Sequence, residues 1–165
     1  MIPGAVRTIS ANLDQTGANE EGLHALIVWP ATFAGYRAAA ADELITGALD
    51  VRARLPLPSM HYFTLRQLVV RVYAGEAFVG SQDDGFRFSR DKTNWVWRES
   101  DVTQVIVVES PLERLLELKE DVRALCGIGR HAIHTTDTDE ELYCVWDAAR
   151  LLHRTGFQQA EVWLR

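Results

Sequence analysis

Cysteine is scarce in this chain of 165 residues: Cys126 and Cys144 are the only two. They lie far apart, each in an apolar helical pattern, which excludes a disulfide scaffold and fits buried free thiols in a reducing compartment. Long hydrophobic runs are missing as well. No window approaches the roughly 18 apolar residues of a membrane-crossing helix, and Met1 to Gly22 lacks the apolar stretch of a signal peptide, so a cytoplasmic protein without membrane contact is expected. Positive charge is in deficit, with 17 lysines and arginines against 23 acidic residues and a net charge of −6. The molecule as a whole repels a polyphosphate backbone, which argues against a nucleic-acid partner. Also absent are the Gly-x-x-x-x-Gly-Lys-Ser/Thr phosphate loop, a Gly-x-Gly-x-x-Gly turn after the first strand, His-Glu-x-x-His and the Gly-x-Ser-x-Gly elbow. The common nucleotide-binding and hydrolase folds lose support with them.

What is present is globular. Hydrophobic residues at 47% and charged residues at 24% in a chain of 18.6 kDa fit one domain with one core. Residues 1–22 mix glycine, amides, threonine and acids without periodicity and read as a flexible N-terminal arm, leaving 23–165 as a single α/β domain. Leu23 to Trp29 is an almost unbroken apolar run bounded by Pro30, as in a strand buried on both faces of a partly parallel sheet. Pro30 then opens a helix in which Phe33, Tyr36, Ala40 and Leu44 recur at helical spacing until Gly47. Leu49, Val51, Ala53 and Leu55 alternate with charged residues, giving a strand with one wet face near a sheet edge, closed by Pro56 and Pro58. Thr64 and Gln67 have capping-box spacing ahead of a helix that Gly75 stops.

Phe86 and Phe88, a polar turn over Arg90 to Asn94, then Trp95 and Trp97 read as a central antiparallel hairpin. Val105 to Val108 marks another central strand. Ser110-Pro111-Leu112-Glu113 opens a helix that Gly127 ends, with Leu115, Leu118, Val122 and Leu125 inward. A last helix follows Thr138, burying Leu142, Val145, Trp146, Ala149 and Leu152, and Ala160, Val162 and Leu164 alternate as a closing strand. The expected architecture is α/β or α+β: a mixed sheet of about five to seven strands with about four helices packed on it.

Chemistry concentrates between the last two helices, from Gly127 to Glu141. Gly127 and Gly129 can adopt backbone angles closed to other residues, and the following helix presents unpaired amides, so the segment attracts anions. Arg130 can fork onto a phosphate, Thr135 and Thr136 can donate hydroxyl bonds, and His131 and His134 titrate near neutrality as acid, base or donor. The bland alternatives are helix termination at Gly127 and simple capping by the threonines, whose neighbouring acids Asp139, Glu140 and Glu141 suit a helix start. Arg130 and the two histidines are what those alternatives explain least.

His131, His134 and Asp137 are spaced three apart and are suitable zinc ligand types, but residues three apart on a strand face opposite sides and no fourth ligand stands out, so no metal is assigned. His134-Thr135-Thr136 resembles one half of the paired His-x-Thr signature of two-histidine phosphoesterases; the second half is absent from the other histidines. Aromatic and basic residues interleave from Phe86 to Arg98, a pattern that stacks nucleic-acid bases in some folds but more simply places aromatics in the core. His24 in an apolar strand, His153 near a helix end, and His61 with Tyr62 read as packing residues, and nothing marks Cys126 as a nucleophile. The reading is a protein that binds or turns over a phosphorylated small molecule at Gly129, Arg130, His131, His134, Thr135 and Thr136, with no cofactor identified and the choice between enzyme and binding protein open. The alternative is a non-catalytic interaction domain, a homodimer through the tryptophan-rich hairpin or the last strand.

Overall fold

The computed structural model describes residues 22–33, 37–99 and 101–155. Four strands, β1 (Gly22–Val28), β2 (Asp50–Leu57), β3 (Thr103–Ser110) and β4 (Ile133–Thr135), form one sheet in the order β2-β3-β1-β4. Five helices accompany them: α1 (Arg37–Ala48), α2 (Tyr62–Val72), α3 (Ser89–Val96), α4 (Leu112–Cys126) and α5 (Asp139–Thr155). Stripped of α2, α3 and α5, the succession β1-α1-β2-β3-α4-β4 is the split arrangement of ferredoxin-like folds. Among the described residues no helix is long and apolar enough to cross a membrane.

Every neighbouring strand pair is antiparallel, so the sheet is not partly parallel as its apolar runs imply. The runs instead report burial on two faces. On one face Ala25, Ile27, Val105 and Val107 pack against Leu65 and Val69 of α2 and Val145 and Trp146 of α5. On the other, Leu26, Val28, Ile106 and Val108 meet Ile45 of α1 and Leu115, Leu118 and Val122 of α4. Each such side chain contributes about 1.5–3 kcal/mol relative to exposure. An antiparallel sheet covered twice needs the same continuous hydrophobicity as a parallel one.

The expected central hairpin is helix α3. Its inward residues Ser89, Lys92, Thr93 and Val96 recur at three and four positions, a helical period hidden by the fact that three of them are polar. Of the aromatics that suggested strand alternation, Phe86 and Trp97 pack against the core from either side of the helix, while Phe88 and Trp95 remain 43% and 54% exposed. Thr93 Oγ1 donates to Ser89 O at 2.8 Å within the helix. Arg66 of α2 holds the helix start from outside, donating through Nε to Ser89 Oγ and through Nη2 to the carbonyls of Gly85 and Phe86, all within 3.2 Å. Without the hairpin the described sheet has four strands, not about five to seven, and five helices instead of about four. Residues 1–21 of the expected arm and the expected strand from Ala160 to Leu164 lie outside the described residues; Gly22 opens β1.

Smaller departures have local causes. Pro30 starts a 3-10 turn (Pro30–Phe33) and α1 begins only at Arg37; Ala41 and Ile45 are its buried residues, with Leu44 partly buried against the same core. Thr64 is buried within α2, which starts at Tyr62, and caps nothing. β2 is the edge strand its alternation implies, and an edge tolerates Pro56. α4 ends as expected, with Gly127 at φ +67°, but it begins at Leu112 with Pro111 in the cap position, and Ser110 Oγ donates to Pro111 O, so the expected capping by Ser110 does not form.

Candidate active cleft

β4 lies at the sheet edge beside β1, and its flanks extend the pairing. Trp29 N donates to Ala132 O on one side, and on the other Thr136 N donates to Ala25 O at 3.0 Å. Ala25 N in turn donates to Thr136 Oγ1 at 2.9 Å, and His24 Nδ1 donates to Thr136 O at 2.9 Å. At α5, Thr138 Oγ1 accepts from Glu141 N while Glu141 Oε2 accepts from Asp137 N, a side-chain lock on the helix start.

Along the free side of β4 runs a cleft of about 580 Å3. His134 and Thr135 reach it from β4, and Arg130 and His131 from the 3-10 turn Gly129–His131 just before. Helix α3 contributes Lys92 and Trp95, α4 contributes Lys119 and Arg123, and Tyr73 closes one side. The structure thus brings together Arg130, His131, His134 and Thr135. Gly129 and Thr136 are not among the lining residues: Gly129 takes φ +54° to make the turn, and the Thr136 hydroxyl is spent on the Ala25 amide.

Each imidazole is fixed by a ring. His131 stacks on Trp95 with centroids 5.0 Å apart and an interplanar angle of 12°, and His134 meets Tyr73 edge-on at 4.7 Å. Lys92 is 6% exposed; its Nζ donates to Arg130 O at 2.6 Å and sits 5.3 Å from the Tyr73 ring. Among the described residues no carboxylate pairs with it.

The electrostatics follow from burial and from this crowd of cations. Burial, with Lys119, Lys92 and Arg123 adding to it, pushes the His134 imidazole down to about 3. Burial with Lys92 and Arg130 pushes His131 down to about 4. Lys92 itself is held at about 7 by burial, with Arg123, Arg130 and Lys119 next in weight. Burial also lowers Lys119, against the pull of Asp137. Both histidines are therefore neutral at pH 7, each with one nitrogen able to donate and one able to accept. Carboxylates line the cleft too, and Asp137 and Glu141 favour the charged form of Lys119. At the imidazoles, the charges that act are all positive.

Four buried polar atoms on this lining have no hydrogen-bond partner among the described residues: His131 Nδ1, His134 Nε2, Thr135 Oγ1 and Arg123 Nε. Leaving such an atom unsatisfied costs about 1–3 kcal/mol, more when charged. All four belong to residues that line this one cleft. No group of three or more histidine, cysteine, aspartate or glutamate side chains comes together for a metal among the described residues, so the His131, His134 and Asp137 spacing makes no triad.

Sequence reasoning missed Lys92, Lys119, Arg123, Tyr73 and Trp95. One signal was available: the chain has just two lysines, Lys92 and Lys119, and both line this cleft. No known protein family and no curated protein matches the chain. Among solved structures it is similar to a crystal structure of the Aquifex aeolicus nucleoside diphosphate kinase, at 16% identity over 78% of this chain and 94% of that one, with a TM-score of 0.48. At that level the likeness carries no argument about function.

Proposed function

We propose that the cleft beside β4 binds a phosphate-bearing small molecule. The observation that supports this most is one cleft lining with four polar atoms that have no partner among the described residues, His131 Nδ1, His134 Nε2, Thr135 Oγ1 and Arg123 Nε, with cations acting on both imidazoles. A phosphate offers an acceptor to each donor and neutralises Arg130, whose exposed guanidinium makes no ion pair among the described residues. The neutral imidazoles hydrogen-bond to the bound group. Trp95 and Phe88, 54% and 43% exposed at the same cleft, leave room for a flat group attached to the phosphate.

The test is thermal unfolding with inorganic phosphate, pyrophosphate, sugar phosphates and nucleotides, repeated on Arg130→Ala and His134→Ala. A ligand at a hundred times its dissociation constant stabilises by about 2.7 kcal/mol, and the shift should vanish in both variants. Unchanged unfolding curves across the panel would leave the second reading, an interaction domain. Its basis is the exposure of Trp95, Phe88 and, away from the cleft, Phe63 at 65%. Light scattering on the eluting protein tests whether such a surface pairs two copies.

A further inference from the structure

Lysine and arginine carry the same charge but not the same chemistry. A guanidinium stays protonated, whereas a desolvated ammonium can lose its proton and attack a carbonyl. This chain uses arginine for its cations almost throughout, including the ion pairs of Arg52 with Glu109 and Arg54 with Asp42. Its two lysines, Lys92 and Lys119, both line the cleft beside His134. The cleft thus keeps amines where every other site that needs only charge has a guanidinium.

Of the two, Lys92 is placed to react. It is enclosed, 6% exposed, with Nζ 5.3 Å from the Tyr73 ring and 5.8 Å from the Trp29 ring, and a backbone carbonyl is its hydrogen-bond partner. Burial, with Arg123, Arg130 and Lys119 adding to it, holds its ammonium down at about 7, which favours the free amine far more than for an exposed lysine. Burial lowers Lys119 as well, but it is only half-buried, and Asp137, Glu120 and Glu141 oppose the shift.

We propose that the Lys92 ε-amine forms an imine with a phosphate-bearing aldehyde bound in this cleft. The inference rests on the phosphate reading above and names a substrate class for the same site. The nitrogen lone pair forms a bond to the carbonyl carbon while the carbonyl π pair moves onto oxygen. Proton transfer from nitrogen to that oxygen gives a carbinolamine. The hydroxyl then leaves as water with one further proton, and the carbon–nitrogen double bond closes. Nothing is oxidised or reduced, and one water is released. Water carries the proton from nitrogen to the departing oxygen, and the neutral His134 ring serves as a hydrogen-bond partner and not as a charged acid. Arg130, whose guanidinium makes no ion pair among the described residues, holds the phosphate.

The experiment incubates the whole chain with glyceraldehyde 3-phosphate and cyanoborohydride, which reduces an imine to a stable secondary amine, followed by intact mass and peptide mapping. The amines available are the two lysines and the terminal amine. A single adduct on Lys92 is expected, forming on the order of tenfold faster than with unphosphorylated glyceraldehyde. Lys92→Arg should lose it, and mapping of the unmodified chain decides the question even if that variant folds poorly. Labelling spread evenly over the amines, or confined to Lys119 or the terminus, overturns the imine. Thermal unfolding with inorganic phosphate, run alongside, separates the two readings. Stabilisation by phosphate without a Lys92 adduct overturns the imine alone. A Lys92 adduct formed equally fast from both aldehydes, with no stabilisation by phosphate, overturns the phosphate reading and this substrate class together.

Discussion

Acidification should destabilise this protein through His134 more than through any surface histidine. In an unfolded chain the imidazole titrates at about 6.5. In the fold, burial and the Lys119, Lys92 and Arg123 charges hold it down to about 3. Below pH 6.5 the unfolded chain therefore binds a proton that the native protein refuses, and stability falls as pH drops from there toward 3. Between pH 7.5 and pH 5 this one group should cost about 2 kcal/mol, the unfolded chain gaining close to a full proton across 1.5 pH units. His131 acts in the same direction, but its ring is less buried and solvent screening makes its share smaller. The perturbation is His134→Gln, which keeps hydrogen-bonding capacity and removes the titration. Urea unfolding of both proteins at the two pH values gives the difference of differences, in which Lys92 and the carboxylates cancel. The variant should lose about 2 kcal/mol less than the parent on acidification. Equal losses would refute a buried neutral imidazole at this position.

Thr136→Val should cost about 1–3 kcal/mol, because the Ala25 amide loses its hydroxyl acceptor inside the sheet edge; chemical denaturation measures it, and a neutral result would show that the bond is dispensable. Gly127→Ala should cost about 1 kcal/mol, read from the melting temperature. The cost comes from φ +67° alone, since nothing lies within 4 Å of an added Cβ there.

Much of the scaffold was legible because burial leaves a period in the sequence. The wet-faced edge strand β2, the start of α4 after Ser110 and Pro111, and its end at Gly127 follow from local rules that packing did not override. The sheet's direction was not legible, since an apolar strand records that both faces are covered and not which way its neighbours run. Helix α3 was hidden for a different reason: three of its four buried residues, Ser89, Lys92 and Thr93, are polar, so a reading based on hydrophobic periodicity follows the alternating aromatics at and beyond its ends instead. The site shows the same division. Arg130, His131, His134 and Thr135 are near neighbours in sequence and were found together, whereas Lys92, Lys119, Arg123 and Tyr73 arrive from other elements through tertiary folding. Thr136 looked like its neighbour Thr135, yet strand alternation sends it inward to a backbone amide.

Only three residues of β4 join the ladder, but Ala132 and Thr136 are moored to β1 at either end. His134 sits at midspan between these moorings, so its backbone cannot drift when a molecule lands against the ring. The entropy of freezing that residue was met when the sheet zipped up, and an incoming ligand has only itself to immobilise. Rigidity delivered from underneath in this way keeps the imidazole in one place on the cleft wall.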